Sequence, residues 1–163
     1  MKKLLLILSV TAVIFISCDD KKKDLSAQYD TLMTESDKIE MAHQKFEEVH
    51  KSMMGEHQKF SEEVEGMEVQ DSTLLGDVAK HGVILKKHDA IIESHAAIIE
   101  GHKKLKTDFD NLNAVEMEAE IKQMKKDHDK MMEEHSSMED EHEMMMKEHK
   151  DLKERMVENM EEQ

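Results

Sequence analysis

The sequence predicts an all-α protein, an up-down-up antiparallel bundle of three long helices. Three observations predict it: a seven-residue histidine period, a large apolar residue three positions after every histidine, and a composition that favours uninterrupted helix. The eleven histidines form three runs: His43, His50 and His57; His81, His88, His95 and His102; His128, His135, His142 and His149. With the first histidine of each run free, the other eight would fall into phase by chance about once in several million. Three residues further on stand Phe46, Met53, Phe60; Ile84, Ile91, Ile98, Leu105; Met131, Met138, Met145 and Leu152. Histidine therefore takes heptad position a and the apolar residue position d, on one face of a helix. The 163 residues include no proline, 37% are charged and 3% aromatic. Nothing interrupts the helices, and such a chain lacks the material for a thick core with buried sheets.

The amino terminus has its own character. Met1-Lys2-Lys3 is a short basic start, and the apolar run from Leu4 to Ile16 is shorter than the roughly 20 residues of a membrane span, so residues 1–17 read as an export signal. The run ends in Phe15-Ile16-Ser17-Cys18, which resembles the lipobox of bacterial lipoproteins. That resemblance implies removal of the signal peptide and lipidation of Cys18 as the first residue. Cys18 is the single cysteine, so no intrachain disulfide is available. Residues 18–24 follow as a polar tether, Asp19-Asp20-Lys21-Lys22-Lys23-Asp24, without apolar period. A charged stretch directly after the cysteine resembles the leaders of surface-exposed lipoproteins in Bacteroidota. The resemblance implies a bacterial cell envelope location, with the membrane as partner through the lipid anchor.

The bundle is expected over 25–163. Helix one should span about 25–68, since Leu25, Leu32 and Ile39 occupy d, with Tyr29 and Ser36 at a, ahead of the first histidine. The heptad phase breaks near Gln70-Asp71-Ser72-Thr73 and Gly76, where N-cap residues and a glycine point to a turn. Helix two, about 73–108, is the most apolar, with Ile84, Ile91 and Ile98 at d and Leu85, Ile92 and Ile99 at e. A middle helix touching two neighbours needs that width. Short polar residues from Asp108 to Asn113 compete with the helix backbone and mark a second turn. Helix three, about 114–159, has Met117, Met124, Met131, Met138 and Met145 at successive d positions.

The alternative architecture is a parallel homotrimeric coiled coil, similar in type to the murein lipoprotein, in which each layer would hold three copies of one histidine. In the single-chain bundle, turns near Asp71 and Asn113 would set His43 level with His128, His50 with His135 and His57 with His142. The reversed middle helix would then stand half a heptad out of step, with His88 level with Met53 and Met138, and His95 with Phe46 and Met131.

A formal net charge of −15 argues against nucleic acid, which requires basic grooves and stacking surfaces. No glycine-rich phosphate loop, nucleophile motif or haem-attachment pair is present, so the expectation is a non-enzymatic protein. One reading makes it a lipid-anchored scaffold or interaction module, with self-association or another envelope protein as partner, and the histidines as polar a residues that specify register. A second makes it a binding or storage protein for Cu, Zn or Ni, because neutral imidazole suits all three ions and thioether adds preference for Cu(I). Its candidate ligands are all eleven histidines with Met53, Met131 and Met138. A third reading is a pH-responsive module, since protonating imidazoles in an apolar seam would loosen it.

Overall fold

A computed structural model describes the backbone of residues 8–66 and 72–161, and the side chains of 20–66 and 73–157. Three helices, α1 (Leu8–Glu65), α2 (Ser72–Asp108) and α3 (Ala114–Glu161), pack against one another, and no strand occurs among the described residues. The protein is an all-α three-helix bundle. α1 begins upstream of the expected residue 25 and carries the 18–24 segment as helix; that stretch contains neither proline nor glycine to stop one. The turn expected near Asp71 lies outside the described residues. No helix among the described residues is long and apolar enough to cross a membrane.

The chain divides into two compact units. The first takes the described residues up to Glu40 together with Ala97–Lys130; the second takes Met41–Ala96 and the chain from Met131 onward.

In the first unit, Leu25, Tyr29, Leu32 and Met33 of α1 meet Phe109 and, from α3, Met117, Ile121 and Met124. The Tyr29 and Phe109 rings stack with centroids 3.8 Å apart, and the Tyr29 hydroxyl donates to the His102 carbonyl at 3.4 Å. Burial, reinforced by Asp30, Glu120 and Asp110, pushes the Tyr29 phenol up to about 12. The α2–α3 hairpin is built from local chemistry. A 3-10 turn over Phe109–Asn111 ends α2, and the Asn113 side chain accepts from the backbone of Val115 and Glu116 at 3.0 and 3.1 Å. Glu116 accepts in return from the Asn113 backbone at 2.9 Å. This reciprocal capping satisfies N–H groups that the first turn of α3 would otherwise leave orphaned.

In the second unit, Phe60, Val64, Leu74, Val78 and Leu152 close the apolar cluster nearest the α1–α2 connection. Met53, Leu85 and Met145 form a second cluster. Position d on α3 is buried throughout, at Met131, Met138, Met145 and Leu152. On α2 position a is buried at His81, His88 and His95, whereas d is half-buried at Ile84 and Ile91, and e is buried at Leu85 but half-buried at Ile92. A helix that serves two neighbours directs the bisector of its apolar stripe, here a, into the core and leaves d and e at the flanks.

Candidate metal centre

The second unit gathers nine histidines into three triads, each taking one residue from every helix: His43–His95–His135, His50–His88–His142 and His57–His81–His149. In each triad one ring nitrogen per residue lies within 4.8 Å of the other two. All nine are buried except His57, which is half-buried. The triads are built from three different histidines of one chain, not from three copies of one.

This corrects the expected register. His43 meets His135 and not His128, His50 meets His142 and not His135, and His57 meets His149 and not His142. His88 and His95 stand level with the histidines of α1 and α3, not with Met53, Met138, Phe46 and Met131. The pairings of His57 with His81 and of His95 with His135 each stand four residues from the register that turns at Asp71 and Asn113 would set. An antiparallel pair slips by twice the shift of its turn, and a slip of four residues is about half a heptad. Half a heptad is the step that brings position a of the reversed helix level with a of its neighbours instead of d.

Within the triads the nitrogens are arranged alike. His43 Nδ1 stands 3.3 Å from His135 Nε2, and His95 Nδ1 stands 3.2 Å from the same atom. His50 Nδ1 and His88 Nδ1 each lie 3.1 Å from His142 Nε2. His57 Nδ1 is 3.3 Å from His149 Nε2, while His81 Nδ1 is buried without a hydrogen bond. The α1 and α2 histidines thus turn Nδ1 inward, and the α3 histidine turns Nε2 inward.

Carboxylates hold the opposite edges of these rings. On α2, the Nε2–H groups of His95 and His81 donate to Glu134 at 2.8 Å and Glu148 at 2.5 Å, and that of His88 donates to Glu141. On α1, His50 Nε2–H donates to Asp89 at 2.9 Å, and His43 Nε2 faces Glu47 at 3.4 Å. A carboxylate only accepts, so it places the proton of a neutral imidazole on Nε2 and leaves Nδ1 as a lone pair aimed at the triad centre. In the first two triads the α3 Nε2–H can donate to one of the two Nδ1 atoms that face it, and the other lone pair then points at nitrogen. A cation at the centre relieves that conflict. Three nitrogens bound at 2.0–2.1 Å and tetrahedral angles stand about 3.4 Å apart, close to the 3.1–3.3 Å edges already present.

Burial keeps the α3 rings neutral and therefore able to ligate. Burial first, then the other two imidazoles of the triad, pushes His135, His142 and His149 from 6.5 down to about 4. Burial also lowers His88 against the opposing pull of Glu141, and lowers His57 with help from His81. Burial alone would raise Glu141, but hydrogen bonds from His88 and Lys87 outweigh it and hold this carboxyl below its usual range.

The triads are separated by dry layers one heptad, about 10 Å, apart along the helices. Phe46 lies between the first and second, its ring parallel to His142 at a centroid distance of 5.1 Å and to His135 at 5.6 Å. Met53, Leu85 and Met145 lie between the second and third. Of the methionines expected as ligands, Met53 therefore belongs to an apolar layer, and Met131 and Met138 are buried at successive d positions flanking His135. Around His57 the wall is thinner: a groove of about 230 Å³ is lined by Gly55, His57, Gly82 and Leu85, and a side chain added at Gly82 would come 3.5 Å from His57 Nε2.

The remaining two histidines, His102 and His128, belong to the first unit. The carboxylates that face α2 leave a signal in the sequence. Every α3 histidine follows an acidic residue, Asp127, Glu134, Glu141 or Glu148, which fills heptad position g beside α2. Cys18 lies in α1, and its side chain is outside those described. Comparison with protein-family models, curated proteins and solved structures returns no match.

Proposed function

We propose that the chain is a transition-metal-binding protein that takes up to three ions of the Zn, Cu or Ni type, one in each histidine triad, and is held at the bacterial cell envelope through Cys18. The observation that carries the metal reading is the inward convergence of three imidazole nitrogens per triad, with carboxylates accepting hydrogen bonds from the outer edges of the α2 rings and of His50. Histidines that only set register need a partner for their ring nitrogens, and the carboxylates at the rim supply it. Such a role gives no reason for nine rings to turn their second nitrogens toward three common centres. Imidazole donors suit late first-row ions, and the dry layers exclude water and keep each site separate. A chain of net charge −15 also draws cations toward it.

Equilibrium dialysis against Zn(II), Cu(II) and Ni(II), with metal counted per chain, tests the reading. Three tight equivalents of at least one ion are expected. Retention of none of the three ions, together with unchanged melting in their presence, would return the histidines to the role of register devices. The anchor rests on the lipobox-like Ser17-Cys18 alone and is tested separately below.

A further inference from the structure

In the first unit, α2 and α3 bring together two more buried histidines, His102 and His128, with ring centroids 5.3 Å apart at 70°. The α2–α3 pairs of the triads have the same arrangement, 4.9 Å at 67° for His88 with His142 and 4.9 Å at 76° for His95 with His135. The outer carboxylate is repeated too. Asp127, directly before His128, faces His102 Nε2 at 3.4 Å, as Glu134, Glu141 and Glu148 face the α2 histidines of the triads. Held this way, His102 turns Nδ1 inward. That atom is buried without a hydrogen bond, and so are both ring nitrogens of His128, whose nearest carboxylate oxygen, on Glu35, stands 3.7 Å from Nδ1. Each buried polar atom left unbonded costs on the order of 1–3 kcal/mol, and three in one place are unexplained by packing.

One heptad before His43, position a of α1 is Ser36, also buried. A serine hydroxyl is a poor substitute for an imidazole toward a late transition metal. Beside the pair runs an open groove of about 430 Å³, lined by Gly101, His102, Leu105, Glu120, Met124 and Asp127. It brings solvent and two carboxylates to the edge of the site.

We propose that His102 and His128 form a fourth metal site, with two protein nitrogens and the remaining positions left to solvent, which binds the same class of ion more weakly than the triads and exchanges it through this groove. The site rests on the metal reading of the triads, because its ligand geometry is theirs with one donor removed. Two nitrogens and exchangeable water make a site that fills last and empties first, the property needed where ions pass to or from a chelator or partner.

The test is a titration of the full chain with Zn(II) against a competing chelator, following the imidazole resonances by NMR. Three tight equivalents and a weaker fourth are expected, with the His102 and His128 rings shifting only during the fourth. His102→Leu should abolish the fourth equivalent and leave three. Ser36→His should supply the missing donor and tighten the fourth equivalent by about tenfold or more. Three equivalents with unmoved His102 and His128 signals in excess zinc would overturn the fourth site and leave the triads standing. Absence of any bound ion when the titration is run with Zn(II), Cu(II) and Ni(II) in turn would overturn both. The ring shifts in the unaltered chain decide the matter even if Ser36→His fails to fold.

Discussion

The metal-free bundle should be acid-labile well above the range in which carboxylates protonate. His135, His142 and His149 carry folded-state values near 4 against an ordinary 6.5. Their folded pKa is lowered, so the unfolded chain takes up protons first, and stability is lost as pH falls from 6.5 towards 4. At pH 5 the unfolded group is about 1.5 units below its pKa while the folded group stays mostly neutral, a loss of about 2 kcal/mol for each histidine. The three belong to separate triads and add to about 6 kcal/mol, comparable with the whole stability of a typical domain. For a chain of this size the melting temperature should drop by roughly 10–20 °C between pH 7.5 and pH 5. His57, His88 and His128, lowered in the same direction, add to the effect. Glu141 titrates below this window, because its own value is depressed. The assay is thermal unfolding by circular dichroism with a chelator present, repeated on a variant with His135, His142 and His149 replaced by Leu, whose melting temperature should fall by much less over the same range. Coincident melting temperatures at pH 7.5 and pH 5 in the unaltered chain would show that the rings accept protons while folded, and would refute the buried, neutral triads.

Replacing His50, His88 and His142 together by Leu should lower tight zinc stoichiometry from three to two and raise the metal-free melting temperature, since apolar groups replace crowded nitrogens; unchanged stoichiometry by dialysis would rule the second triad out as a site. Glu141→Gln removes the negative charge from the acceptor that holds His88 Nε2–H and should weaken the second site about 10–100-fold without changing the number of ions bound, which competition titration can read. Phe60, 1% exposed, fills the cluster with Val64, Leu74, Val78 and Leu152, so Phe60→Ala should cost about 3–5 kcal/mol in urea unfolding. Whichever of the three ions binds should, at a hundred times its dissociation constant, add about 2.7 kcal/mol per site, and a chain whose melting temperature ignores Zn(II), Cu(II) and Ni(II) alike contradicts the proposed function. Cys18→Ser should release the protein from membranes or leave its signal peptide in place; a cleaved variant that still fractionates with membranes would exclude lipidation at this residue.

The sequence by itself determined the helical class, the number of helices and the face each one buries, because a seven-residue period is a local property of the chain and leaves its trace at every step from His43 to His149. It also marked the helix-three start at Asn113, where short-range capping chemistry decides. Register was decided only by tertiary structure. An antiparallel pairing doubles any error in the position of its turn, so two residues of uncertainty at each hairpin separate a stack of His–His–His triads from alternating histidine and methionine layers. Packing resolved this at the ends of the helices, where Phe60 and Val64 meet Leu74, Val78 and Leu152 in one unit, and Tyr29 stacks on Phe109 in the other. The same long-range geometry decided what a histidine at position a is worth. His43, His50 and His57 find two imidazoles each, whereas His102 and His128 pair with each other, a difference that follows from which residues the folded helices bring level.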